Sequence, residues 1–452
     1  MRWDYINSLI NAGMAPPAAE AKAPLFAAAG AALGSGARAA GDPVALFVPG
    51  RMEVLGKHTD YAGGRSLLCA VERGLCMLVS PRPDDMIRVV DARSGGQASF
   101  AFSPDLDPTV GHWSNYPMTV ARRLARNFPE FRAGADIAFA SDLPVAAGVS
   151  SSSALVVGVY LALDAANEFE RSEAYRREIT GRETLAAYLG CLENGESFGT
   201  LAGDRGVGVF GGSEDQTAIL CCRPGKLSRY SFCPVRAEGE VAVPPGYTFV
   251  IADSGIVAEK AGAARDAYNR ASVATRVIVR LWNAATGRDD ATLAAALASG
   301  SDAADRIRAV LGSAAHAEYP AHVLVQRFDQ FAEESGRIIP AAHAALAGGD
   351  LAGFGALVDA SQVNVERWLH NQIPETIALQ RQARELGAAA ASAFGAGFGG
   401  SVWALVEDRG AEEFARRWLT RYRELFPAAS SGAQTFVTGA GPAAVRLANL
   451  HS

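Results

Sequence analysis

Between residues 136 and 166 the chain reads as strand, glycine/serine loop and helix in immediate succession. Asp136 to Ala140 is a short strand candidate, and the turn-forming run Leu143-Pro144-Val145-Ala146-Ala147-Gly148-Val149 follows it. Four serines, Ser150 to Ser153, come next, and Leu155, Val159, Leu163 and Ala166 then recur at helical spacing. A helix N-terminus presents unpaired N–H groups and the positive end of its dipole, so this loop is suited to holding phosphate. Serine also caps helices with no ligand involved, so the segment taken alone leaves both readings open.

The rest of the chain limits the fold class. A length of 452 residues fits two domains, and 49% hydrophobic against 20% charged residues is enough apolar material for buried cores. Strand candidates Ala45 to Val48, Ser66 to Val71, Cys76 to Ser80 and Ile87 to Val90 make a β-rich opening. Later strands at Thr248 to Ala252, Val402 to Val406 and Gln434 to Val437 are separated by long Ala-rich helices. Strands and helices do not alternate strictly, so the expectation is α+β. The break at Pro244-Pro245-Gly246 suggests domains over residues 1–237 and 238–452.

Several function classes are excluded. A net charge of −6 with no basic cluster argues against nucleic acid as a partner. The six cysteines form no CxxC, unlike a zinc site or a disulfide framework. No run approaches the ~18–20 apolar residues that span a bilayer. The Ala-rich stretch Leu25 to Leu33 follows Asp4 and Glu20 and reads as an N-terminal helix packed on the first domain, not as a signal peptide. A cytoplasmic location is the expectation.

Two more Gly-rich segments stand out. No GxxxxGK[ST] occurs, which excludes a P-loop enzyme. Gly395-Ala396-Gly397-Phe398-Gly399-Gly400 satisfies GxGxxG but feeds a strand-like run, so the dinucleotide-binding reading fails on context. A tight turn, or backbone brought up to a ligand, remains. Gly50 to Gly64 packs Arg51, Glu53, Lys57, His58, Thr59 and Asp60 directly after an apolar strand, a polar density suited to a polyhydroxylated ligand or to a solvated turn.

Together these segments resemble a known family. Arg51 to Gly64 is similar to the galactokinase signature GRxNLIGEHTDYNGG, Leu143 to Ala154 to the PxGxGLSSSA loop of the GHMP kinases, and Gly395 to Leu405 to their GxGFGGCxxAL motif. His112 to Tyr116 resembles the WANY segment, Gly208 to Gln216 resembles GVPCGIMDQ, and Ser254 to Arg270 resembles NSxVxHxLxxSxYNxRR. The resemblance implies a GHMP kinase fold, with an N-terminal ribosomal-protein-S5-like domain and a C-terminal ferredoxin-like domain. It implies ATP and Mg²⁺ as cofactors, a small-molecule sugar as partner, a monomer, and phosphoryl transfer to an anomeric hydroxyl.

Carried over residue by residue, the resemblance makes Asp215 the catalytic aspartate and Arg51 its partner. Lys57, His58, Asp60, Gly212 and Tyr268 would bind sugar, and Trp113, Ala147, Gly148, Val149, Ser150, Ser151, Ser152 and Ser153 would bind ATP. Ser152 aligns with the Mg²⁺ ligand, and Glu193 is the candidate carboxylate, with Glu196 the alternative because extra residues before Asp215 blur the register.

The departures concern the substrate. Lys57 stands where galactokinases carry Glu, Glu53 replaces Asn, and Glu214 replaces Met beside the catalytic aspartate. A buried ammonium needs a counter-charge, so Lys57 pairs either with Glu53 or Glu214, leaving a neutral hexose as substrate, or with a substrate carboxylate, as in a uronic acid 1-kinase. Two further alternatives are a non-catalytic galactokinase-like sugar sensor and a GHMP kinase for another alcohol, such as mevalonate or homoserine.

Overall fold

A computed structural model of the protein describes residues 4–34, 43–144, 147–256, 263–429 and 431–447. Val145 and Ala146 of the serine loop, and residues 257–262 within the segment Ser254 to Arg270, lie outside the described residues. The class is α+β, as expected.

The first sheet has eight strands. It contains β1 (Val44–Leu55), β2 (Arg65–Pro81), β3 (Met86–Asp91), β4 (Gln97–Ala101), β5 (Ala135–Ser141), β6 (Lys226–Ser231), β7 (Arg236–Ala242) and β12 (Val445–Leu447). The order β12-β1-β2-β5-β3-β4 is antiparallel except for β3 with β5, and β6 and β7 extend the sheet from the start of β2. The two expected strands Ser66 to Val71 and Cys76 to Ser80 are one 17-residue strand, β2. The half-buried Glu72 and Arg73 gave the look of a break. Gly74 lets the strand continue there, since a Cβ would lie 2.4 Å from the carbonyl oxygen of Val48. Likewise β1 does not stop at Pro49. It shifts register between Pro49 and Arg51 and continues, so Arg51 and Glu53 sit on a buried strand and not in a loop.

Both faces of this sheet are covered, which is why every residue of β1 is buried. On one side α1 (Tyr5–Asn11), α2 (Pro16–Glu20) and α3 (Ala23–Leu33) bury Leu9, Phe26 and Ala29 against Ala45, Phe47 and Leu78. On the other lie α4 (Asn115–Asn127), α5 (Ser151–Asn167), α6 (Glu173–Glu178), α7 (Arg182–Asn194) and α8 (Glu214–Cys221). There Leu46 and Val48 share a core with Val156, Val159 and Leu189.

The second sheet, β11-β8-β10-β9, is fully antiparallel and built from β8 (Tyr247–Asp253), β9 (Ala390–Ala393), β10 (Ser401–Glu407) and β11 (Gln434–Thr438). Phe249, Ile251 and Trp403 on one of its faces join the core of the first sheet, and α15 (Pro374–Glu385) and α16 (Ala411–Leu425) close the other face. A helical layer, α9 (Ala263–Thr286), α10 (Leu293–Leu297), α11 (Ala303–Gly312) and α12 (Ala321–Glu333), packs around Ala62 and Tyr61. Two further helices are α13 (Ile339–Ala347) and α14 (Leu351–Asn364), each next to a π-helical turn, Glu334–Ile338 and Val365–Leu369. The expected division after residue 237 falls inside β7, and β12 returns the end of the chain to β1.

Candidate active site

The functional segments converge on one cavity of about 740 Å³. Arg51 and Glu53 reach it from β1, Asp215 from the first turn of α8, Glu193 from the end of α7, Ser151 to Ser153 from the start of α5 and Tyr268 from α9. His58, Asp60, Trp113, Gly148, Ser150 and Gly212 also line it. Lys57, Ala147, Val149 and Glu196 are not among the lining residues.

The serine loop does not act as an ordinary cap. Ser150 adopts left-handed backbone geometry (φ 59°) and its side chain makes no capping bond, so the N-terminal N–H groups of α5 are not satisfied by the local hydroxyl. Val149 and Ala147 hold the loop from behind: Arg51 N donates to Val149 O at 3.2 Å, and Ser401 Oγ donates to Ala147 O at 2.6 Å. The third Gly-rich motif packs here, with Gly395 so placed that a Cβ would lie 3.2 Å from Gly148 O. Its glycines serve close backbone approach.

Arg51 ties the pieces together. Its Nε donates to Asp215 Oδ1 at 2.7 Å and its NH1 to Gly148 O at 2.6 Å, while Glu214 Oε1 lies 3.7 Å from Nε. Burial opposes the guanidinium's charge, but Asp215, Glu214 and Glu53 outweigh it and hold its pKa above the ordinary value. The other oxygen of Asp215 accepts from Ser153 Oγ at 3.1 Å. Ser153 also lies 3.3 Å from Glu193 Oε1, and Gln216 Nε2 donates to Glu193 Oε2 at 2.6 Å. Glu196, by contrast, is exposed and paired with Arg276.

Around Asp60 the packing is tight. Glu214 N donates to Asp60 Oδ2 at 3.1 Å, and burial raises the Asp60 carboxyl to about 6 against this hydrogen bond. Gly212 is required here, since a Cβ would sit 2.3 Å from Asp60 Oδ2. His58 lines the cavity with both ring nitrogens engaged, Nδ1 with Tyr61 OH at 2.8 Å and Nε2 with Ala396 O at 3.1 Å. Burial and the Arg327 charge lower its pKa to about 4, so the ring is neutral, with Nε2–H donating to the carbonyl. Its ring stands 4.9 Å from that of Tyr268.

Lys57 turns the other way. Its ammonium is fully buried and donates to Ser361 Oγ at 3.1 Å, and Ser361 in turn donates to Glu334 Oε1 at 2.8 Å. The neighbouring backbone is held from the same side, Gly56 N by Glu334 and Lys57 O by Gln330. Of the two carboxylates expected to neutralise Lys57, Glu53 feels its charge.

Sequence reasoning named Glu53 and Glu214 as departures and as possible partners of Lys57, not as site residues, yet both line the cavity, as do Gln216 and Arg265. The available signal for the first two was an acid at a position where the resembled motif is neutral, and for Glu53 also its apolar neighbours Met52 and Val54.

The chain matches three family models: the galactokinase galactose-binding signature over residues 37–81, the GHMP kinase N-terminal domain over 115–191 and the GHMP kinase C-terminal model over 341–425. It is 29% identical to a galactokinase of Roseiflexus sp. over 84% of this chain and 88% of that protein. It is 25% identical to one of Actinobacillus pleuropneumoniae over 84% and 89%. Against a galactokinase from another strain of the latter species the alignment is 28% identical and spans half of that protein's length. The fold superposes on Lactococcus lactis galactokinase complexed with galactose with a TM-score of 0.73 at 23% identity, covering 90% of this chain and 95% of that one. A Methanococcus jannaschii mevalonate kinase superposes less well, with a TM-score of 0.53 at 12% identity. The three models in sequence order and a fold shared along nearly the whole length lead to one conclusion: the chain carries the N- and C-terminal domain models of the GHMP kinases together with the galactose-binding signature of galactokinases.

Proposed function

We propose that the protein is an ATP-dependent sugar 1-kinase that phosphorylates the anomeric hydroxyl of galactose or a closely related neutral hexose. The observation that carries this reading is the Arg51–Asp215 pair at 2.7 Å, which stands between the serine loop at the start of α5 and the pocket formed by Asp60, Gly212 and Tyr268. Phosphoryl transfer asks chiefly for positioning and charge neutralisation, with an acceptor for the hydroxyl proton.

In this reading the α5 N-terminus and the hydroxyls of Ser150 to Ser152 receive the triphosphate, and the apolar lining formed by Leu75, Trp113, Phe139 and Leu143 receives the base. Asp215 orients the anomeric hydroxyl and takes its proton, and Arg51 holds Asp215 in place while stabilising the phosphoryl group in transit. Asp60 accepts from the sugar, His58 and Tyr268 shape the pocket, and Gly212 lets Asp60 approach. Ser152 and Glu193 would hold Mg²⁺, which when bound offsets phosphate charge. The buried Glu193 carboxylate on the cavity wall suits a hard cation, and no cluster of three His, Cys, Asp or Glu capable of holding a metal exists among the described residues. Two protein oxygens completed by phosphate and water fit magnesium's habit.

Two observations favour a neutral sugar over a uronic acid. The acidic side chains Glu53, Asp60, Glu214 and Asp215 line the cavity, and even with a proton held by the Glu53–Glu214 pair their remaining charge opposes a substrate carboxylate. Lys57, the cation that could have received it, is engaged with Ser361.

The test is ADP release by purified protein with ATP-Mg²⁺ and a panel of galactose, mannose, glucose, fucose, N-acetylhexosamines and galacturonate, with phosphorus NMR of the product. Turnover of a neutral hexose to its 1-phosphate is the expected result. Binding of sugar without turnover would support a sensor instead.

A further inference from the structure

Two carboxyl side chains in the cavity have no part in the transfer chemistry above. Glu53 and Glu214 are 3% and 6% exposed, and both line the pocket. They lie close enough for each carboxyl to act on the other, and ionised carboxylates can only accept hydrogen bonds. Glu53 Oε1 finds no protein donor at all. Such a pair is satisfied only if it holds a proton between its two groups. Burial pushes the Glu53 carboxyl up to about 7 against the opposing charges of Lys57 and Arg51, and burial and Glu53 raise Glu214 further still.

The surroundings fix the pair in place. Ser66 Oγ donates to Glu214 Oε2 at 2.5 Å, the backbone N–H of Glu214 is taken by Asp60, and Glu214 Oε1 stands 3.7 Å from Arg51 Nε, too far to be satisfied by it. The charge of the buried Lys57, itself anchored through Ser361 to Glu334 at the start of a π-helical turn, acts on Glu53. A carboxyl oxygen directed at a cavity and backed by so many fixed groups is a pre-organised acceptor.

We infer that Glu53 and Glu214 form a proton-sharing carboxyl pair that determines sugar specificity, with Glu214 Oε1 accepting from a substrate hydroxyl and Glu53 positioning Glu214. This deepens the sugar 1-kinase reading and rests on it. The ligand class is a sugar with a hydrogen-bond donor at that point; a sugar lacking the donor leaves the buried acceptor unpaired, which is the more costly error.

The experiment measures kcat and KM for the best accepted sugar and its monodeoxy analogues with wild type, Glu214→Gln and Glu53→Gln, after thermal melting has shown each variant folded. In wild type one deoxy analogue loses about 100-fold or more in kcat/KM. That penalty falls below about tenfold in Glu214→Gln. In Glu53→Gln the same analogue's penalty shrinks through KM, with kcat for the parent sugar within a few-fold, a split that a general loss of structure would not give. An unchanged pattern of penalties in both variants overturns the inference while leaving the kinase reading intact. Absence of turnover of any sugar by wild type overturns that reading and the inference with it. A crystal structure of wild type with bound sugar decides the matter without any variant: a sugar oxygen within about 3.2 Å of Glu214 Oε1 supports the inference, and a sugar bound wholly by other groups overturns it.

Discussion

The Nε of Arg51 on β1 lies 2.7 Å from Oδ1 of Asp215 in the first turn of α8, a contact between residues 164 positions apart in the chain. Both are largely buried, at 6% and 19% side-chain exposure, so the pair is screened little by water. A charged hydrogen bond in such surroundings fixes the aspartate's orientation.

Replacing Asp215 with Ala therefore removes the acceptor for the hydroxyl proton and leaves the nucleotide and sugar contacts. A fall in kcat of about a thousandfold is expected, with sugar and nucleotide affinity in calorimetry within a few-fold of wild type. Turnover surviving within a few-fold would remove Asp215 from the chemistry.

Gly212→Ala should raise the KM for sugar at least about tenfold and leave the KM for ATP unchanged. The added methyl would stand 2.3 Å from Asp60 Oδ2 and 2.8 Å from Tyr61 N, so either the loop or Asp60 must retreat. Steady-state kinetics with each substrate varied in turn separates the two parameters.

Lys57→Glu tests the orientation of that side chain. Because the ammonium is fully buried among Ser361, Glu334 and Glu53, a carboxylate there meets like charges and lacks a counter-ion. The expected cost is about 3–5 kcal/mol in urea unfolding, with Lys57→Met milder. Normal stability combined with an altered sugar profile would show that residue 57 faces the substrate after all.

Asp60 should give the protein a measurable pH dependence of stability. Its carboxyl titrates at about 6 when folded, against 3.8 for the unfolded reference, so between those values the folded state holds a proton that the unfolded state has lost. Its contribution is fully present below about pH 4 and is lost as pH rises through 6. Asp60→Asn removes this contribution, so the gap in unfolding midpoint between variant and wild type should change in the variant's favour from pH 4 to pH 6.5. A constant gap would mean that Asp60 is ionised throughout.

How much of this was written in the chain depends on the range of the interaction. The strand–loop–helix order around Ser150, the three Gly-rich segments and the α+β class are local patterns, set by periodicity, backbone conformation and the need for close approach, and the sequence determined them by itself. The glycines at 148, 212 and 395 could be marked as special without knowing what they approach. What only the tertiary structure decided was which side chains face one another. Arg51 and Glu53 look like loop residues until β1 is seen to continue past Pro49 into a sheet whose pairing partner supplies the burial. Glu193 and Glu196 are indistinguishable by spacing, yet the end of α7 turns the first into the cavity and leaves the second to Arg276 in solvent. Lys57 is the sharpest case. Its motif puts it beside His58 and Asp60, but Gln330, Glu334 and Ser361, roughly 270–300 residues later, hold its segment from behind, and a buried charge goes where its partners are.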